Sequence, residues 1–180
     1  MDYRPEAQGQ VPKAFKPLLE TRRLRPRLMD EADLDDLPAI FGDPKVMAAF
    51  NAEPFSRGQM CQWLQRKLDH RDRYGYGLFS VIHKDDDLLL GDCGLEHMEA
   101  EGKPVVEVGY DFRRDWWNPG FATELAALVR DFTFEALRLP SLVSLIRAGN
   151  GASRRVSEKI GLQRVHESAR SGVRYWKYAV

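Results

Sequence analysis

Cysteine is scarce in this 180-residue chain: only Cys61 and Cys93 occur. They lie far apart, in no CxxC pair. That spacing excludes a disulfide framework and a thiolate zinc site, and fits two reduced thiols in a cytosolic protein. Long apolar runs are lacking as well. None approaches the ~18 residues of a membrane span, and the start, "MDYRPEAQGQ", has no apolar leader segment. Neither charge sign is in excess, with Lys+Arg 27 against Asp+Glu 27. A nucleic-acid binder ordinarily carries a basic surplus, so bulk charge gives that class no support. There is no HExxH, no Walker A loop and no internal repeat. The expectation is a cytoplasmic protein with no metal and with neither nucleic acid nor membrane as partner.

What is present suits one domain with a substantial core, since 43% of residues are hydrophobic. Residues 1–20, with Pro5, Pro12 and Pro17, read as an extended and partly disordered arm. Phe15, Leu18 and Leu19 could dock that arm on the single domain expected over residues 21–180. "TRRLRPRL" (Thr21–Leu28) reads as a first strand. Asp30 then caps a short helix that Pro38 splits. Pro44 opens "DPKVMAAF", and Ser56 with Gln59 has capping-box spacing ahead of Met60, Trp63, Leu64 and Leu68.

The period then changes from helical to alternating. "YGLFSVIHK", "DLLLGDCGLEHM" and "PVVEVGYDF" read as three antiparallel strands joined by the turns "KDDD" and "EAEGKP". Gly109 looks like a bulge position in the third. A helix from Phe121 to Arg138 follows, stopped by Pro140, then a buried strand at Leu142–Ile146. "NGASRRVSEKIG" is a helix with Gly161 at its C-terminal cap. "LQRVHES" and "VRYWKYAV" close the chain as strands. The order β, helices, β-β-β, α, β, α, β-β is an α/β arrangement with a mixed sheet.

The start of the Phe121 helix carries the first chemical signal. Gly120 puts no side chain between its backbone and a ligand, Ala122 is small, and Thr123 adds a hydroxyl. Backbone amides at such a helix start make a cradle for a phosphate-bearing ligand. Equally, a glycine after a proline turn is an ordinary place for a helix to begin. A bulky residue at position 120 is expected to harm ligand binding more than folding.

Six segments occur together and in order: "TRRLRPR" at 21–27, "DPKVM" at 43–47, "GDCGL" at 91–95, "EVGYDF" at 107–112, "WWNPGFATEL" at 116–125 and "NGASRRVSEKIGL" at 150–162. In this the chain resembles the GCN5-related N-acetyltransferases (GNAT), most closely their RimJ/RimL-like ribosomal-protein N-terminal acetyltransferase branch. The resemblance runs from about Thr21 to Val180. It implies a mostly antiparallel central sheet of about seven strands with helices on both faces, splayed between the fourth and fifth strands. It also implies acetyl-CoA as co-substrate. The pyrophosphate would lie on the backbone at Trp117, Asn118, Pro119, Gly120, Phe121, Ala122 and Thr123. The pantetheine arm would run beside Tyr110, Asp111 and Phe112, with Asn150 and Ser153 on the far side. Pro119 departs from the family pattern by lacking an amide donor.

Acyl transfer to an amine requires loss of the amine's proton. Glu107, on the strand beside the cofactor, is the expected base, with Glu96 and His97 in reserve. Asn150, Ser153 and Ser157 share one helix face at i, i+3 and i+7. Ser153 and Ser157 are the expected donors to the departing thiolate, Ser157 standing where many relatives carry a tyrosine. The acceptor is a protein N-terminus or a small-molecule amine, and the protein a monomer or homodimer. The competing reading is a degenerate member of the fold that binds CoA as a sensor or interaction module.

Overall fold

The computed structural model describes residues 20–170 and 172–180, with the backbone alone at Arg170. The arm expected over residues 1–20 lies, but for Glu20, outside them. Seven strands form one sheet in the order β1-β2-β3-β4-β5-β7-β6. They are β1 (Leu24–Leu28), β2 (Leu78–His83), β3 (Leu89–Ala100), β4 (Lys103–Phe112), β5 (Val143–Arg147), β6 (Gln163–Arg170) and β7 (Val173–Ala179). Every pairing is antiparallel except that of β4 with β5, which is parallel. A parallel neighbour needs a crossover, and the helix between these two strands supplies it. This is the mixed α/β arrangement expected from the sequence.

Helices cover both faces. On one lie α1 (Pro38–Phe41), α2 (Pro44–Met47) and α3 (Arg57–Tyr74); on the other lie α4 (Phe121–Glu135) and α5 (Gly151–Lys159). Pro38 does split the first helical stretch, leaving a 3-10 turn at Glu31–Asp35 before α1. The capping box at α3 is formed: Gln59 N–H donates to Ser56 Oγ (3.3 Å) and Ser56 N–H to Gln59 Oε1 (2.8 Å). Met60, Trp63, Leu64 and Leu68 turn inward and pack with Phe41 and Met47 under Leu78 and Ile82 of β2. Phe121, Leu125, Ala126, Val129 and Phe132 of α4 form the opposite core with Val81, Leu95, Val108 and Ile146.

Three boundaries differ from the sequence reading. The first strand starts at Leu24 rather than Thr21, whose hydroxyl instead accepts from the amides of Arg23 and Leu24. The β3–β4 connection is only Glu101–Gly102, both left-handed (φ 56° and 71°), so the strands run further into "EAEGKP" than expected. α4 stops at Glu135, three residues short of Arg138. Leu137 N–H turns back to Phe132 O and Leu139 N–H to Thr133 O, with Arg138 left-handed, which closes the helix before Pro140.

Two glycines let backbones meet at the centre of the sheet. A Cβ on Gly91 would sit 1.9 Å from Asp111 O, and one on Gly94 2.2 Å from Gly77 O. Neither obstacle is a movable side-chain end. Gly91→Ala is expected to lower unfolding stability by about 2 kcal/mol or more, measured by urea denaturation. A loss under about 0.5 kcal/mol would show that the β3–β4 packing is looser than described.

Candidate active site

The α4 N-terminus is open. Gly120 is its N-cap at φ 88°, no side chain caps it, and a Cβ there would meet nothing within 4 Å. Glu124 N–H bonds Gly120 O (3.0 Å), so the amides of Phe121, Ala122 and Thr123 come before the first intrahelical bond and point outward. The turn before it is shaped by Asn118, also left-handed at φ 78°. Trp117 closes that turn by donating its indole N–H to Phe112 O (2.9 Å). Because Gly120 is left-handed, a valine there costs folding as well as binding, by ~1–2 kcal/mol.

Arg23, just before β1 and given no role from the sequence, buttresses this helix start. Its Nη2 donates to Pro119 O (3.1 Å), its Nε to Glu124 Oε2 (3.2 Å), and its guanidinium lies 4.4 Å from the Phe121 ring centroid. Burial pushes the Glu124 carboxyl upward. Hydrogen bonds from Thr21 and Arg23 and the positive field of Arg23 and Arg22 outweigh that and hold it below its ordinary value.

A slot leads away from this helix mouth between β4 and β5. The two strands share one register pair, Glu107 with Val143. Leu142 and Ala148 bond β7, through Leu142 N–H to Val180 O and Ala148 N–H to Arg174 O. By alternation the amides of Val143 and Leu145 face β4. A continued parallel ladder would give Leu145 N–H a β4 carbonyl. It donates instead to Glu107 Oε1, at 2.7 Å. The side chain thus takes the place of the next strand bond, and the strands part. Arg113 N–H bonds Leu90 O (2.8 Å), so the same alternation turns the amides of Tyr110 and Phe112 toward the gap. Gly109 is no bulge: it pairs in unbroken register with Gly94, and its polar groups face β3. The divergence comes from Glu107.

The face of β3 and β4 that lies under α3 is acidic. Asp92, Gly94 and Glu96 pair with Asp111, Gly109 and Glu107 respectively, so four carboxyls line one surface with a glycine pair between them. Lys67 of α3 reaches in to Glu96, both half-buried. Asp92 is 1% exposed, and neither carboxyl oxygen has a hydrogen-bond partner among the described residues. Burial drives the Asp92 carboxyl up, reinforced by Asp111. Burial also raises Asp111, which Lys67 opposes and Glu96 reinforces. Glu107 is pushed up to about 8, first by burial; the Leu145 amide and Lys67 pull it down, while Glu96 and Asp111 push it further. Half-buried at the slot with Oε1 committed to Leu145, Glu107 has its second oxygen left to exchange a proton with a ligand.

The other expected residues divide. Tyr110 OH donates to Ser153 O (3.2 Å), tying β4 to α5 beneath the slot. Ser157 is fully buried beside this contact, its hydroxyl turned to the Tyr110 phenol. Asn150 caps α5, its Oδ1 accepting from Ser153 N–H (3.1 Å). So Tyr110, Ser153 and Ser157 come together, and Asn150 positions the helix that carries the serines. His97 is set aside: its ring stacks on Tyr74 (4.4 Å between centroids) and its amide donates to His70 Nε2. Glu96, the other reserve, is taken up by Lys67. Burial raises the Cys93 thiol well above its ordinary value, which disqualifies it as a nucleophile. Among the described residues no helix is long and apolar enough to cross a membrane.

The described geometry has counterparts. Residues 23–163 match the family model described as "Acetyltransferase (GNAT) domain". The chain is similar to YkkB of Bacillus subtilis (strain 168), 34% identical over 82% of this chain and 86% of that one. It is likewise similar to the N-acetyltransferase p20 of Bacillus licheniformis, 30% identical over 84% of this chain and 88% of that one. Among solved structures, the acetyltransferase from Agrobacterium tumefaciens superposes with a TM-score of 0.77 at 25% identity, covering 90% of this chain and 92% of that one.

The acidic face has a consequence for stability. Carboxyls with raised folded-state values hold protons more tightly folded than unfolded. Their contribution is full below the ordinary carboxylate range and is lost as pH rises through the raised values. For Glu107 that window runs from 4.5 to about 8. The melting temperature is therefore expected to fall between about pH 5 and 8, and Asp92→Asn to flatten that fall. A melting temperature that is level across this range in the unaltered protein contradicts the placement of these acids.

Proposed function

The chain belongs to the GNAT family of N-acetyltransferases, and from that premise we propose that it moves an acetyl group from acetyl-CoA to a primary amine by direct transfer in a ternary complex. The observation that carries this reading is the unpaired β4 edge beyond Glu107, which leads to the open start of α4. The amides of Phe121, Ala122 and Thr123 suit a pyrophosphate, and Pro119 narrows that grip by one donor. The edge amides of Tyr110 and Phe112 suit the amide groups of a pantetheine arm, which would lie in the gap as an added strand. Trp117, Asn118 and Gly120 shape the turn between these two segments, with Asp111 beside the arm and Asn150 and Ser153 opposite.

Acetyl-CoA supplies the thioester whose acyl carbon the amine attacks, with CoA leaving as the thiolate. The chain supplies the proton chemistry. Glu107 takes a proton from the bound ammonium, leaving the neutral amine to attack the acyl carbon. A free α-amine titrates near ~8 and a lysine near ~10.4, so a carboxylate at about 8 matches an α-amine and falls short of a lysine. That match, with the RimJ/RimL-like motifs, favours a protein N-terminus or a small α-amine as acceptor. As the C–S bond breaks, the amine nitrogen gives up its second proton, and Ser153 or Ser157 relays that proton to the departing thiolate. The same reading takes the protein as cytoplasmic, a monomer or homodimer, with neither nucleic acid nor membrane as partner.

The test is an acceptor screen with acetyl-CoA and mass spectrometry of the products, repeated with Glu107→Gln. The unaltered protein is expected to acetylate an α-amine. The variant should lose about 10²–10⁴-fold in kcat while CoA affinity stays within about threefold. CoA binding without turnover of any amine would instead favour a sensor, the reading that Pro119 and Ser157 in place of the relatives' tyrosine suggest. Turnover unaffected by Glu107→Gln would remove Glu107 as the base.

A further inference from the structure

We propose that Lys67 is a positioning residue for the reaction: its ammonium, fixed on Glu96, sets the charge that Glu107 carries from across the sheet. This rests on the reading of Glu107 as the base and adds to it a residue outside the slot. Glu96 lies directly opposite Glu107 in the β3–β4 register, on the same face. Lys67 descends from α3 onto that face, with its Nζ 5.3 Å from the Trp63 ring centroid and its side chain only 18% exposed. Aromatic contact and ion pair together hold the ammonium in one place, rather than in the many of a solvated lysine.

The charges around Glu107 can be named element by element. α3 contributes Lys67 and His70, the latter held neutral chiefly by burial. β3 contributes Glu96 and Asp92, and β4 itself contributes Asp111. β5 contributes the Leu145 amide and Arg147, whose guanidinium is engaged by Ala48 O (3.0 Å) and Asn51 Oδ1 (3.1 Å). On β7, Lys177 is engaged by Glu101 (3.3 Å). Beyond β2, Asp33 is neutralised by Arg27 and accepts from Ser80. Lys67 is thus the cation that the structure sets among these four carboxyls. It lowers both Glu107 and Asp111, while Glu96 raises both. The two partners of one ion pair therefore act on the base with opposite sign.

That opposition separates tuning from scaffolding. Lys67→Met and Glu96→Gln break the same bond, so a merely structural role would move Glu107 in the same direction in both. A field effect moves it in opposite directions. The experiment is a ¹³C carboxyl NMR titration of the full chain labelled at glutamate, with Glu107→Gln identifying the Glu107 resonance. No acceptor is needed, so the result stands apart from whether Glu107 is the base, which the activity of Glu107→Gln decides. The Glu107 midpoint should rise by about 0.5 pH unit or more in Lys67→Met and fall by a similar amount in Glu96→Gln. It should stay within about 0.2 in Lys67→Arg, which keeps the charge. With one fixed amine, the acidic limb of kcat/KM should follow with the same signs. Shifts of the same direction in both variants, or no shift in either, would overturn the proposal. If Lys67→Met does not fold, Glu96→Gln decides alone: a fall supports the proposal, and a rise or no change overturns it.

Discussion

One amide decides the shape of this site. Leu145 N–H faces β4 and, in an ordinary parallel ladder, would bond a strand carbonyl. It bonds the Glu107 carboxylate instead, at 2.7 Å. From that exchange the rest follows. The ladder ends after one register pair, the β4 edge at Tyr110 and Phe112 is left without a strand partner, and Glu107 is fixed where the gap begins. A buried amide must be satisfied, so the wedge is held by the same bond that would otherwise have closed the sheet. The open start of α4 then stands at the far end of the gap, because α4 follows β4 through the short turn that Trp117 and Arg23 brace.

The same carboxylate belongs to a face that the fold tolerates only with protons. Asp92 has no partner among the described residues, Asp111 lies opposite it, and Glu96 is offset by Lys67. Burial favours the neutral acids, while a base must be ionised. In the role proposed for Glu107 as base, stability and proton abstraction therefore pull it in opposite directions across neutral pH. Gly94 and Gly109 sit between the acids, and Gly94 leaves no room for a side chain: a Cβ there would come within 2.2 Å of Gly77 O.

Much of the architecture was legible in the chain. Strong punctuation marked most elements: Ser56 and Gln59 at α3, Pro38 at the split helix, Gly161 (φ 88°) just past α5. Six ordered segments identified the fold. What was missed depended on register. "DCGLE" and "EVGYD" carry acid-x-Gly-x-acid spacing in mirror order, yet only antiparallel pairing of Gly94 with Gly109 puts all four acids on one face. Gly109 looked like a bulge because a glycine in a strand often is one, whereas the side chain two residues earlier deflects the strand. Lys67 and Arg23 belong to no motif in the sequence, and only tertiary contact gives them their partners.

Residue-resolved amide hydrogen exchange along β4 and β5, with and without CoA, tests the central claim most directly. The Tyr110 and Phe112 amides should exchange quickly in the free protein and become protected with CoA, while Leu145 is protected in both states. Slow exchange at Tyr110 and Phe112 without ligand would mean that the strands are zipped together, and no change on adding CoA would mean that the gap does not receive it; either result contradicts the account.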